Sequence, residues 1–283
     1  MRNIGIKSVA RASGSWLSGI LLTTYMLLSA TVATASDWRP VIAPLTIGGH
    51  YYEPASAASN HQAIQLSKSQ TALLRFTVRR GENSRWDAKE GSAVDRAELT
   101  GWAQPNPLGK DVWISYAQRI LPGEPVTSRW CVIGQMHATT QAGDRGSSPP
   151  FALQLLPGDV FMISTRYVAA ARHTVNPDET IRYSGAIERD RWYRHVFRLR
   201  FGYKGDAILQ WWRDGVLMLD LTDFSMGYND PEGPYWQFGI YRNTSPEDLT
   251  IEYRDVEVSQ TSLAHRIAPP LSKETASDLK LMR

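Results

Sequence analysis

One cysteine in 283 residues rules out an intramolecular disulfide, so this fold must rest on packing and hydrogen bonding. That residue, Cys131, lies between Trp130 and Val132 in an apolar run, the setting of a buried structural thiol. No segment keeps an apolar stripe at helical spacing for more than three turns, which argues against a helical bundle. Paired carboxylates in E-x-D-x-E form are also missing. Retaining hydrolysis of a glycosidic bond needs two carboxyl groups roughly 5 Å apart, and no strand-like run offers them. His173 and His195 have no second ligand at metal spacing, so a metal-dependent hydrolase is not supported. There is no internal repeat and no sign of a second domain.

Net charge is nearly absent as well. Residues 1–35 have the form of an export leader: Arg2, Lys7 and Arg11, an apolar run from Trp16 to Val32, then Ala33-Thr34-Ala35 before Ser36. An uncleaved anchor is the rival, since that run is nearly long enough to span a bilayer, roughly 20 residues. Cleavage after Ala35 removes three of the 31 basic residues and no acidic one, leaving 28 Lys+Arg against 28 Asp+Glu. A neutral mature chain gives no whole-protein field for nucleic acid. It is expected to be periplasmic or secreted, monomeric, and without stable membrane association.

What the sequence does contain is strands. Short runs dense in β-branched and aromatic residues, such as Asp111 to Ile120, Phe151 to Leu156 and Tyr235 to Tyr241, are punctuated by Gly and Pro. Asp214-Gly215 reads as a hairpin turn. About a dozen strands without helices imply an all-β fold, a β-sandwich jelly roll of two antiparallel sheets with a concave substrate groove. The domain is expected over residues 36–258, with 36–70 wrapping its edge and 259–283 as a mobile tail.

Residues i and i+2 share a strand face. In DRAEL that pairs Arg96 with Glu98, and in IGQMHA it pairs Gln135 with His137. In YWQFGIY it aligns Tyr235, Gln237, Gly239 and Tyr241. A solvated strand face is ordinarily polar. Together, however, these residues supply a guanidinium, an amide, a base and a phenol, the parts needed to remove a proton beside a carboxylate.

The three motifs, in this order with PPFALQL and Trp211-Trp212-Arg213-Asp214-Gly215 between them, resemble the jelly-roll polysaccharide lyases over roughly Leu73 to Val258. The heparin lyase I and glucuronan lyase group is the nearest in pattern, and the alginate lyases are more distant. The resemblance implies a polysaccharide lyase that cleaves an acidic, uronate-containing polymer by β-elimination. It implies Arg96, Gln135, His137 and Tyr241 as catalytic, with Arg96 gripping the uronate carboxylate through two parallel hydrogen bonds. His137 would take the C5 proton and Tyr241 protonate the leaving O4, or Tyr241 would do both. Glu98 would orient Arg96 and, with Tyr235, Gln237 and Arg242, complete the substrate-binding set, although Arg242 points to the other face in a regular strand. Gly239 would leave room for a sugar. No cofactor is implied beyond a structural calcium, for which no dense Asp/Asn loop is evident. Gln237 stands where many relatives have lysine, which favours the alternative of a carbohydrate-binding sandwich without chemistry. Trp102, Trp211, Trp212 and Trp236 are the candidate sugar-stacking aromatics.

Overall fold

The computed structural model describes residues 37–57, 59–139, 148–171 and 176–267. The leader, His173 and residues 268–283 lie outside the described residues. Strands follow in the order β1 (Trp38–Pro40), β2 (Leu45–Ile47), β3 (His50–Ser56), β4 (Ile64–Ser67), β5 (Leu74–Val78) and β6 (Val94–Thr100), with a short helix α1 (Arg85–Lys89) before β6. Next come β7 (Asp111–Ile120), β8 (Cys131–His137), β9 (Phe151–Leu156), β10 (Val160–Thr165), β11 (Tyr167–Val168) and β12 (Thr180–Ala186). The last are β13 (Tyr193–Arg200), β14 (Gly202–Arg213), β15 (Val216–Tyr228), β16 (Tyr235–Asn243) and β17 (Leu249–Ser259).

Two sheets result. One has nine strands in the order β1-β4-β5-β17-β7-β13-β14-β15-β11, the other eight in the order β12-β10-β9-β8-β16-β6-β3-β2. The pairs that build the centre of the second sheet are antiparallel, whereas β11 and β15 run parallel. Asp214 and Gly215 have φ of 51° and 82° and close the β14–β15 hairpin, as the left-handed preference of Asp-Gly allows. Alternation sends Leu99, Met136, Phe151 and Phe238 from one sheet, and Phe76, Ile114, Phe197 and Tyr253 from the other, into one core. The sandwich is therefore all-β and held by sheet-on-sheet packing.

His195 belongs to that core. It stacks on Tyr116 and Phe161, and its Nδ1 accepts a 3.1 Å hydrogen bond from Trp211 Nε1. Burial, with the nearby Arg213 charge, pushes its pKa down to about 3, so it serves packing as a neutral ring. Cys131 is buried in the same core, and burial pushes its thiol up to about 12.

Three expectations change. The edge segment before residue 70 is richer in structure than its composition suggests: β1 and β2 do lie at sheet edges, but β3 pairs with β6 inside the second sheet. Strand β12 has an exposed, mixed face and so lacks the apolar alternation that marks a strand in sequence. The fold also continues past Val258. Leu263 is 3% exposed and packs with Trp113 and Val196 on the outer face of the nine-stranded sheet.

Arg242 corrects a fourth. It is 0% exposed, with Nε 3.0 Å from Asp95 and Nη1 3.0 Å from Glu247, and Nη2 donates to the Glu247 carbonyl at 2.6 Å. As Tyr241's neighbour on β16 it takes the opposite face, so it cannot touch a substrate in the groove. It instead ties β6, β16 and the 243–248 turn together. Truncation would strand two carboxylates in a dry site, a loss of about 3–5 kcal/mol. Arg242→Ala is therefore expected to lower the urea midpoint by that equivalent. A midpoint within experimental error of the parent would show that the network is dispensable.

Candidate active site

Strands β6, β8 and β16 lie side by side, and their antiparallel register fixes which side chains meet. Tyr235 pairs with His137 and Gln237 with Gln135 on one flank of β16, while Tyr241 pairs with Arg96 and Gly239 with Glu98 on the other. Ala97, Leu99, Met136, Trp236, Phe238 and Ile240 all face the core, which turns the polar set to the opposite face. A cavity of about 740 Å³ opens there, and Arg96, Gln135, His137 and Tyr241 all line it. The four are thus brought to one site.

A bulge adjusts the register. Between the Phe238–Gly134 and Tyr241–Val132 pairs β16 carries one residue more than β8, and Gly239 adopts φ +135°. A Cβ on Gly239 would fall 2.3 Å from the Ala97 carbonyl oxygen and 2.8 Å from the Phe76 ring. Its missing side chain thus makes room for β6 and the core, not for a sugar, which corrects the expectation.

Glu98 is 0% exposed and is the hub of the site. Its Oε2 accepts from Arg96 Nη1 and from Gln237 Nε2, both at 2.7 Å, and its Oε1 accepts from Gln135 Nε2 at 2.9 Å. It does orient Arg96, but it has no surface for substrate, and Gln237, also buried, bonds Glu98 from within the sheet. Both belong to the site's support, which revises their assignment to substrate binding.

Arg96 is more committed than its sequence implied. Asp87, from α1, takes the side-on edge of the guanidinium with Nε at 2.8 Å and Nη2 at 2.9 Å. The two parallel bonds expected for a substrate carboxylate are therefore already made within the protein. Of five guanidinium N–H groups, these contacts leave two without a partner among the described residues. Burial raises the Asp87 carboxyl, but the Arg96 and Ser84 hydrogen bonds and the Arg96 charge outweigh it and hold the pKa below the ordinary value. Asp87 left no signal in the sequence, because a carboxylate in a five-residue helix has no periodicity to betray its direction.

The two proton-transfer candidates differ in state. His137 Nδ1 lies 2.7 Å from the Ala138 carbonyl, which can only accept, so Nδ1 carries the hydrogen and Nε2 the lone pair. Burial lowers the His137 pKa, with the Arg96 charge acting the same way, against the raising effects of the Ala138 bond and Glu98. Its ring stacks on Tyr235 at 5.1 Å. Burial first, then Asp87, Glu98 and Glu90, raise the Tyr241 pKa against the opposing Arg96 charge. Arg96 sits 3.5 Å over the Tyr241 ring, and Trp130 packs edge-on at 4.8 Å. At neutral pH one group is an unprotonated base and the other a protonated acid.

Sequence reasoning also missed the far wall. Arg166 pairs with Glu179 at 2.8 Å, and Gln154, on the groove face of β9, donates to Glu179 at 2.7 Å. The alternation in FALQL could have flagged Gln154, while the pairing with Glu179 depends on a loop. Trp211 and Trp236 are buried and Trp212 stacks on Trp113, so of the four candidate stacking tryptophans only Trp102 is exposed. Among the described residues no three His, Cys, Asp or Glu side chains converge as a metal site.

A family model described as Polysaccharide lyase matches residues 35–257. Among solved structures, the endo-β-1,4-glucuronan lyase of the fungus Trichoderma reesei superposes with a TM-score of 0.55 at 14% identity, covering 81% of this chain and 96% of that one. An alginate lyase from Pseudomonas aeruginosa gives a TM-score of 0.47 at 19% identity, covering 74% and 98%. The first of these is a likeness of fold. No curated protein sequence matches.

The Asp87 contact has a measurable consequence. Its negative charge favours the protonated phenol, so Asp87→Asn is expected to lower the Tyr241 pKa. Titration of labelled tyrosine ring resonances, assigned by the signal lost in Tyr241→Phe, checks this. An unchanged or higher pKa would break the link between α1 and the phenol.

Proposed function

The chain belongs to the polysaccharide lyase family, and from that premise we propose that it cleaves a uronate-containing polysaccharide by β-elimination with His137 as base and Tyr241 as acid. The observation that carries this division is the hydrogen bond from His137 Nδ1 to the Ala138 carbonyl, which leaves Nε2 free to accept a proton in a cavity that Tyr241 also lines. In the step, Nε2 takes the C5 proton and the C5–H electron pair becomes the C4=C5 double bond. The C4–O4 bond breaks, and O4 receives the Tyr241 proton. Exchange with solvent then restores the neutral imidazole and phenol. A Tyr241 that served as both base and acid would have to ionise first, which its raised pKa opposes.

The uronate carboxylate gains charge as C5 is deprotonated, so donors aimed at it lower the barrier. The Gln135 amide and the two remaining Arg96 N–H groups are the available donors. Asp87, Arg96 and Glu98 together carry a formal charge of minus one, so a polymer whose only anionic groups are its carboxylates suits the site better than one that also carries sulfates. A β-1,4-glucuronan is a fitting first polymer to assay. Export belongs to the same reading and rests on the leader pattern of residues 1–35. The neutral Gln237 supports one rival, a carbohydrate-binding sandwich that has kept the cleft and lost the chemistry.

Incubation with a panel of uronate polymers, followed by ultraviolet absorbance of the unsaturated product, separates the two. Tyr241→Phe keeps the ring and its packing but removes the transferable proton, so kcat is expected to fall by about 10²-fold or more while binding survives. Near-normal elimination by that variant would remove Tyr241 from the mechanism. Binding without elimination by the parent would favour the rival. With a lowered His137 pKa, the acidic limb of kcat/KM is expected below 6.5, and with a raised Tyr241 pKa the alkaline limb above 10.0. An acidic limb above 6.5 would contradict His137 as the base.

A further inference from the structure

The far wall of the cavity carries a second guanidinium, that of Arg166. Met136 of β8 pairs with Phe151 of β9, and Phe151 with Thr165 of β10. One residue on, the Arg166 amide still donates to the Pro150 carbonyl at 2.9 Å. Arg166 therefore stands two strands from the His137 end of β8, about 10 Å across the sheet. The chain here leaves β10 for β11 in the other sheet, and the Arg166 carbonyl accepts from the Gly227 amide on β15 at 3.0 Å. The backbone beneath the side chain is thus fixed from both sheets. The guanidinium is fixed too: Nη2 lies 2.8 Å from Glu179, and Nη1 donates to the Pro149 carbonyl at 3.3 Å. Glu179 immediately precedes β12, on the side of β10 away from β8, so the ion pair draws the guanidinium away from His137.

We propose that Arg166 binds the carboxylate of a second uronate, in the sugar unit adjoining the one whose C5 proton His137 removes. The inference rests on the lyase reading of His137. Two of the five guanidinium N–H groups are used, which leaves three without a partner among the described residues. Arg96 meets two carboxylates and keeps only two. With Glu179 as its one acidic partner, Arg166 forms a pair of zero formal charge, whereas Arg96 with Asp87 and Glu98 carries minus one. An anion already charged before the reaction is therefore repelled less at the far wall. Glu90, the other carboxylate lining the cavity, acts on Tyr241 instead. The Arg166 side chain is only 12% exposed, so its free N–H groups are preorganised and poorly screened, the condition for strong charge-assisted hydrogen bonds. Glu179 orients Arg166 as Glu98 orients Arg96, and Gln154 steadies Glu179 with its 2.7 Å bond. The substrate class that fits is a polymer with uronates in adjoining units, rather than one whose uronates are each flanked by neutral sugars.

Arg166→Gln keeps an amide donor for Glu179 and removes the charge. On a homopolymeric uronate such as β-1,4-glucuronan it is expected to raise KM by about tenfold with kcat unchanged, the pattern of a contact remote from the reacting atoms. On a polymer in which uronates alternate with neutral sugars, KM should hold. Glu179→Gln should move KM on the homopolymer the other way, because it removes negative charge beside the docked carboxylate while its amide oxygen still accepts from Arg166. A merely structural ion pair would respond alike to the two substitutions. Arg166→Lys, which retains the charge, should recover most of the lost affinity, and thermal midpoints check that each variant is folded. An unchanged KM on the homopolymer, an equal rise on both polymers, or a KM raised by Glu179→Gln overturns the second carboxylate contact while leaving the lyase reading intact. A parent that cleaves only the alternating polymer overturns it as well. If the parent eliminates neither polymer, the lyase reading fails, and retardation in gels containing the homopolymer tests Arg166 alone. Retardation lost in Arg166→Gln and kept in Arg166→Lys supports the contact. Equal retardation of parent and Arg166→Gln, or none of the parent, overturns it.

Discussion

The buried carboxylate of Glu98 is the group on which the arrangement of the site depends. A carboxylate in a dry sheet is tolerated only when donors surround it, and Glu98 collects three from three adjacent strands. Because a carboxylate accepts and never donates when ionised, each glutamine must turn its NH₂ end inward, and the amide orientation of Gln135 at the cavity follows. The same carboxylate anchors one nitrogen of Arg96 through its other oxygen, while Asp87 anchors the other two from α1. The guanidinium held this way sits 3.5 Å over the centre of the Tyr241 ring. One acidic residue thus coordinates an amide, a cation and, through the cation, the phenol.

That arrangement also explains how a glutamine can stand at position 237. The position needs a donor to Glu98, and an amide meets that need at 2.7 Å as a lysine ammonium would. What changes is the charge. An ammonium would balance the two carboxylates around Arg96, and the amide leaves one in excess. The local geometry is preserved and the long-range attraction for anions is reduced, which separates shape from field at a single residue.

Much of this was legible in the sequence because strand alternation has a period of two. The fold class, the shared faces of Arg96 with Glu98 and of Gln135 with His137, and the Asp214-Gly215 hairpin all follow from that rule and from turn chemistry. Arg242 shows the rule outranking the motif: its parity already pointed away from Tyr241, and its burial with Asp95 and Glu247 agrees with parity. Gly239 shows where the rule stops, since a bulge adds a residue that no pattern announces. Asp87, Arg166 and Glu179 come from a short helix, a strand link and a loop, whose side-chain directions are set by tertiary contacts alone. Leu263 was hidden for a similar reason, a single apolar anchor in a polar stretch.

The lone thiol of Cys131 has a use that the sandwich itself confers. It is sealed in the core at the start of β8, the strand that carries Gln135 and His137, with its ionisation suppressed by burial. Alkylating reagents attack thiolates, so they can reach this sulfur only after β8 separates from its neighbours. With no second cysteine to confuse the signal, the rate of modification counts openings of the central sheet in the unaltered protein. The residue that contributes nothing to the chemistry is the one that can time the stability of the strand beneath it.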